Sequence, residues 1–228
     1  MPKRSKRYRA TRDHVDRHRR YSLEEAVGIV RECATVKFDE SVEVSLRLGV
    51  DPRKGDQQVR GSVVLPHGLG GKERVVLVFA EGDQAKAAEE AGADFVGAED
   101  LVEKIQGGWT EFDVAIAHPS MMRHVGKLGR VLGPQGKMPS PKAGTVSADV
   151  AAAVQEFKAG KVNYRVDKDA NVHAPVGKIS FSNEKIIDNA MAFISSVTNA
   201  RPAAAKGTYV HRVSICSTMG PGLYLDMA

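Results

Sequence analysis

Cysteine is scarce. Cys33 and Cys216 are the only two in 228 residues, and neither has a partner at metal-ligand spacing. That excludes a disulfide-stapled scaffold and leaves two free thiols, as expected in a reducing cytoplasm. Aromatic residues make up 6%, with Trp109 the single tryptophan, so any stacking on nucleic-acid bases rests on few side chains. No stretch approaches the roughly 18 consecutive apolar residues of a membrane span, and no membrane contact is expected. The opening "MPKRSKRYRATRDHVDRHRR" lacks the apolar core of a secretory signal. Its arginines suit a mitochondrial transit peptide, but Asp13 and Asp16 do not, and it reads as a basic arm. The widest absence is of acid: nothing between Asp113 and Asp149 is Asp or Glu.

What is present follows from that gap. The formal charge of +5 hides a partition. Residues 1–20 carry +7, and residues 114–148 carry +5 from Arg123, Lys127, Arg130, Lys137 and Lys142, which leaves −7 on the remainder. Two basic zones on an acidic body read as footprints for a polyanion, with a merely solubilising role as the competing reading. Within the second zone, "GRVLGPQGKMPSPKAG" (129–144) is too rich in Gly and Pro to be one helix. It is expected as a basic loop. Hydrophobic residues at 42% supply enough apolar surface for packed cores.

The hydrophobic pattern changes twice along the chain. "SLEEAVGIVRECA" opens with Ser22 and Glu25 in capping-box spacing and predicts an amphipathic helix. "SVEVSLRLGVD" alternates strictly, with Val42, Val44, Leu46 and Leu48 facing one way and Ser41, Glu43, Ser45 and Arg47 the other. "QVRGSVVLP" is its expected neighbour. After "LPHGLGGK" the strands become short and continuously apolar ("RVVLVFA", "ADFVG", "DVAIAHP"), separated by helical "GDQAKAAEEAG" and "AEDLVEKIQGG". This is the signature of parallel strands covered on both faces. "VSADVAAAVQEFKAG" closes that block. Alternation then returns in "KVNYRVD" and "NVHAPVGKISF", an expected hairpin across "DKDAN", followed by an amphipathic helix over 183–199 and a last strand, "TYVHRVSICSTMGPG". The economical fold is α/β and α+β. A discontinuous α+β first domain (1–67 and 160–228) carries an inserted, three-layer, Rossmann-like α/β second domain (68–159), with a hinge at two Gly-bearing crossings.

Catalytic patterns are absent. "GLGG" at 68–71 precedes a strand where a dinucleotide fingerprint needs a helix, and "GPQGKMPS" has Val131 and Met138 where a phosphate loop needs Gly and Ser or Thr. The seven histidines form no HExxH pair, and there is no G-x-S-x-G. The expectation is no catalytic residue, no metal and no cofactor. A phosphate-handling α/β enzyme and an RNA-binding regulator stay open as classes on the residues alone.

Four segments, "KFDESVEVSLRLGVDPRKGDQQVRGSVVLPHG", "VGKLGRVLGPQGKMPSPKAGTV", "YRVDKDANVHAPVGK" and "KGTYVHRVSICSTMGPG", stand in an order and spacing that resembles the bacterial form of the large-subunit ribosomal protein one family. The resemblance spans almost the whole chain. It implies a discontinuous first domain with an inserted second one. It also implies binding to the large-subunit rRNA stalk beside other parts of the large subunit, in a protein that is cytoplasmic and ribosome-bound, and a monomer when free. An influence on release of exit-site tRNA, and repression of its own operon through that operon's mRNA, are implied likewise.

Carried over by motif, the principal RNA site comprises Lys37, Phe38 and Ser41, with Glu43 one pleat along, then Asp167 and Lys168, and Ser217, Thr218, Met219 and Gly220. Gly220 is expected to let a ribose approach without a Cβ. Arg123, Lys127, Arg130, Lys137 and Lys142 are expected to touch phosphates of a neighbouring RNA segment. The sequence departs from the family's usual loop at Gln135, Lys137 and Ser140, and has an extra Gly in "GLGGK".

Overall fold

The structure is a computed structural model and describes residues 5–16, 18–71 and 74–226; of Lys142 only the backbone is described. In chain order the elements are α1 (Lys6–Asp13), β1 (Arg20–Tyr21), α2 (Leu23–Cys33), β2 (Ser41–Leu48), β3 (Arg60–Val64), β4 (Val76–Phe79), α3 (Asp83–Glu90), β5 (Phe95–Gly97), α4 (Glu99–Gln106) and β6 (Val114–Ala117). Then come α5 (Met122–Val125), α6 (Gly129–Leu132), α7 (Val150–Lys158), β7 (Lys161–Arg165), β8 (Asn171–Lys178), α8 (Asn183–Asn199), β9 (Val210–Ser217) and β10 (Leu223–Leu225). This mixed α/β chain divides into two compact units, Met1–Gly71 with Val162–Ala228, and Lys72–Lys161.

The first unit is built on a five-stranded sheet in the order β1-β10-β9-β2-β8. Strand β2 lies between β8 and β9, antiparallel to both. Its strict alternation makes the sheet one-sided, because successive side chains point to opposite faces. Val42, Val44, Leu46 and Leu48 are buried, and with Val172, Ala174, Val176, Val213 and Ile215 they form a core under α2 and α8. Ser22 caps α2 by accepting the Glu25 N–H at 3.2 Å, while the Glu25 carboxylate turns to Arg19 (3.1 Å) and leaves the capping box half closed. From α8, Ile186, Ala190, Phe193, Ile194 and Val197 enter the same core.

Two local expectations are corrected here. Strand β3 does not pair with β2 but with β7, in a separate two-stranded sheet. The β7–β8 hairpin does not form either, since β8 joins β2. At the bend the Asp167 carboxylate accepts the N–H groups of Asp169 (2.9 Å) and Asn171 (2.7 Å), with Ala170 held at φ 64°. That Asx-type turn redirects the chain. The N-terminal arm, finally, contains a helix, α1, whose first turn is capped by Ser5 accepting from the Tyr8 N–H and whose Thr11 is buried.

In the second unit β5, β4 and β6 run parallel, in that order across the sheet. Every residue of β4 is buried, as a strand covered on both faces requires. One covering layer brings Leu101, Val102 and Ile105 from α4 together with Met121, Val125, Leu128 and Leu132. The other brings Ala88 from α3 and Val150, Val154 and Phe157 from α7.

Residues 65–71 belong to the first unit and pack on it. Leu65 is buried, and the buried side chain of Asn189 accepts the His67 N–H (3.1 Å) and donates to the carbonyls of Gly68 (2.9 Å) and Val176 (2.7 Å). A Cβ at Gly70 would lie 2.6 Å from the Phe181 ring, and its φ of 68° favours glycine independently.

Candidate nucleic-acid interface

The outer face of the five-stranded sheet lies opposite the helices and is polar. Strand pairing sets its rows: Glu43 lies between Cys216 and Pro175, Ser45 between Ser214 and His173, and Arg47 between Arg212 and Asn171. Ser45 Oγ and His173 Nδ1 are 2.8 Å apart, and His173 Nε2 lies 3.4 Å from Asp167 Oδ2, so an ordered chain of polar groups crosses from β2 to the turn before β8. Partial burial works to raise the Asp167 carboxyl, but bonds from Asn171, Asp169 and His173 hold it below the ordinary carboxylate range. Burial, with the Glu43 carboxylate beside it, pushes the Cys216 thiol up.

At one end of this face the chain builds a loop with unusual support. Ser41 and Thr218 exchange hydrogen bonds: the Thr218 N–H donates to Ser41 O, and the Ser41 N–H donates to Thr218 Oγ1, both at 3.0 Å. The backbone of the next residue, Met219, is held at both its N–H and its carbonyl. Met219 N–H donates to Glu40 Oε2 at 2.8 Å, and Arg7 Nη2 donates to Met219 O at 3.2 Å. Glu40 is 1% exposed. Among the described residues the buried side-chain polar atoms without a partner are Arg7 Nη1, Glu40 Oε1 and Ser217 Oγ, all belonging to residues around this loop. Met219 (45%) and Phe38 (54%) are left exposed, two of only four large apolar side chains so placed among the described residues.

The expected site residues therefore divide. Phe38, Ser41, Thr218, Met219 and Gly220, preceded by exposed Lys37, gather at this end; Lys178 Nζ donates to Ser41 Oγ at 2.8 Å. Glu43 is exposed on the same face. Asp167 and exposed Lys168 sit at the opposite end, about 20 Å along β2 by strand rise. Ser217 is corrected: it pairs with inward-facing Val42 and is 2% exposed, so it cannot touch a surface ligand. A Cβ at Gly220 would lie 2.5 Å from Ser217 Oγ, so the protein's own packing also disfavours a side chain there.

The second basic zone is also regrouped. Residues 119–132 form consecutive helical turns, so Gly129–Leu132 is helical and the basic loop is shorter than expected. Met121, Val125, Leu128 and Leu132 line the buried side, while Arg123, Lys127 and Arg130, at i, i+4 and i+7, line the exposed one. Their side chains make no hydrogen bond or ion pair with another described residue. Lys137 stands apart from them: its Nζ donates to Thr110 O at 3.0 Å and lies 5.1 Å from the Phe112 ring centroid, which turns it back onto its own unit. The side chain of Lys142 lies outside the described residues.

Sequence reasoning passed over Ser45, Arg47, His173, Arg212 and Tyr224. The parity of β2 already put Ser45 and Arg47 beside Ser41 and Glu43; the others needed the strand pairing. Among the described residues no helix is long and apolar enough to cross a membrane, and no group of three or more His, Cys, Asp and Glu is placed to hold a metal ion. The sequence matches the Ribosomal protein L1p/L10e family over residues 30–221, which takes in β2, β8, the Thr218–Gly220 loop and the whole second unit. The chain belongs to that family, and is thereby a structural, rRNA-binding ribosomal protein of the large subunit and not a member of an enzyme class.

Proposed function

We propose that the outer face of the first unit's sheet, with the Thr218–Gly220 loop at its rim, is the surface that takes the large-subunit rRNA stalk. The observation that carries this reading is a polar sheet face ending in a loop clamped by Glu40 and Arg7, with Phe38 and Met219 exposed beside it. Such a platform suits the wide, shallow minor groove of an RNA helix, where 2′-hydroxyls both donate and accept. Glu43 and Asp167 are acceptors for sugar hydroxyls and base amino groups, Ser41 and Thr218 can act both ways, and Lys37 and Lys168 hold phosphates.

On the second unit, Arg123, Lys127 and Arg130, with Lys142 by sequence, hold phosphates of an adjoining RNA segment and contribute affinity more than specificity. In this reading the protein works in the cytoplasm on the ribosome and is a monomer when free. There it assists release of deacylated tRNA from the exit site. Its own operon's mRNA is repressed when a segment resembling the stalk occupies the same face.

The test is a filter-binding titration of a stalk-derived rRNA hairpin against a DNA duplex of equal charge, at physiological ionic strength. A clear preference for the RNA, and competition between the hairpin and the operon leader for one site, is the expected result. Equal binding of hairpin and duplex would remove the reading.

A further inference from the structure

The far end of the same sheet face holds a like-charge pair in register that the protein alone does not explain. Arg47 on β2 stands directly opposite Arg212 on β9, and both are exposed. Like charges facing each other across adjacent strands destabilise a sheet. Among the described residues no acid forms an ion pair with either arginine. The Arg47 guanidinium makes no hydrogen bond or ion pair with a described residue. That of Arg212 is fixed by an aromatic neighbour: Nη1 donates to the Tyr224 hydroxyl at 3.2 Å, and the guanidinium carbon lies 4.5 Å from the Tyr224 ring centroid. The clamp holds Arg212 in one place and leaves its other N–H groups free to take a second partner.

The two arginines and His211 line a cavity of about 260 Å³. His211 packs closely against Gly49, where a Cβ would lie 2.2 Å from Thr208 O and 2.9 Å from His211 Nε2. Any larger residue there would push His211 away from the end of β2. The cavity is smaller than a drug-sized ligand pocket and lined by nitrogen donors, so a compact anionic group fits it best. Guanidinium groups present paired N–H donors in a planar fork that matches two phosphate oxygens.

We propose that Arg47, Arg212 and His211 form a notch for a phosphodiester group of the RNA that lies on this sheet. The inference rests on the RNA reading above and extends it. The sheet face then grips its ligand at two points about 20 Å apart along β2, the Thr218–Gly220 loop at one end and this notch at the other. Repulsion between the arginines in the free protein is relieved when the phosphate enters, so part of the stabilisation on binding comes from the protein itself.

The test uses the full chain with Arg47→Gln, Arg212→Gln and the double variant. Binding of the stalk hairpin is titrated from about 50 to 200 mM salt. Each substitution is expected to weaken binding roughly tenfold and to lower the salt slope by about one unit, as loss of one phosphate contact does. Free of RNA, Arg47→Gln is expected to melt at or above the wild-type temperature, since it removes the like-charge pair and leaves the Arg212–Tyr224 contact in place. Weaker binding with an unchanged slope, or a lowered melting temperature of Arg47→Gln, would overturn the notch by showing that the arginines only shape the sheet. Inorganic phosphate tests the notch without RNA: it should raise the wild-type melting temperature more than that of the double variant, and equal shifts would overturn the site. If the wild-type chain shows the phosphate effect yet no preference for the hairpin, the notch stands as an anion site and the RNA reading falls.

Discussion

The main-chain N–H of Met219 donates to a carboxylate oxygen of Glu40 at 2.8 Å, and the other oxygen of that buried carboxylate has no partner among the described residues. Two opposing contributions follow. A hydrogen bond to a charged group contributes about 1.5–3 kcal/mol, whereas a buried, half-satisfied carboxylate costs a comparable amount in desolvation. Glu40→Ala is therefore expected to change global stability by no more than about 1 kcal/mol while releasing the loop. Hydrogen exchange at the Met219 amide should accelerate, and affinity for the stalk hairpin should fall about tenfold, equivalent to about 1.4 kcal/mol. Exchange as slow as in the wild type would show that Glu40 does not hold the loop.

Gly220 offers a sharper choice between two explanations. If it is needed because a Cβ would meet Ser217 Oγ at 2.5 Å, removing that oxygen should remove the need. Gly220→Ala is expected to weaken RNA binding, and Ser217→Ala with Gly220→Ala to restore most of it. Ser217→Ala alone should leave stability unchanged or raise it by up to about 1 kcal/mol, because its buried hydroxyl has no partner among the described residues. A double variant as defective as Gly220→Ala would mean that the ligand, and not Ser217, requires the missing Cβ.

These residues also show what a sequence can and cannot reveal. Period-two alternation located β2 and its faces, and the continuous apolar runs located the parallel strands of the second unit. The same parity, extended through Val213 and Ile215, already points Ser217 inward. Which strands would be neighbours was not legible. Alternation states which face a residue occupies, not what pairs beside it, so β3 could not be assigned to β7 and Arg212 could not be placed opposite Arg47. The contacts of Lys137 are hidden for a related reason: its partners, Thr110 and Phe112, lie far back in the chain and nothing local announces them.

The regrouped basic zone gives a prediction in which two lysines behave differently. Arg123, Lys127 and Arg130 share an exposed helical face, so Lys127→Ala should lower the salt slope of RNA binding by up to about one unit with little effect on folding. Lys137→Ala should leave the slope unchanged. It should instead destabilise the second unit, by about 1 kcal/mol for the lost bond to Thr110 O and contact with Phe112. Salt titrations and urea unfolding of both variants separate the outcomes. A lowered slope for Lys137→Ala would return that side chain to the interface.

The turn before β8 supplies a pH-dependent prediction whose sign follows from Asp167. Its carboxyl is held below the ordinary range in the folded protein, despite partial burial, by bonds from Asn171, Asp169 and His173. A group whose folded pKa is depressed contributes stability that is present above its unfolded pKa and lost as pH falls through the folded one. The contribution should therefore be complete at neutral pH, begin to fade below the usual aspartate value near 4, and vanish once the folded-state carboxyl is protonated. Asp167→Ala should lower the melting temperature at neutral pH and converge with the wild type in strong acid. The substitution also frees Ala170, held at φ 64° within the turn, so hydrogen exchange at the Asn171 amide should rise in the variant at every pH above that convergence. A difference in melting temperature that stays constant from neutral pH down to strong acid would show that the Asp167 carboxylate is not what holds this turn.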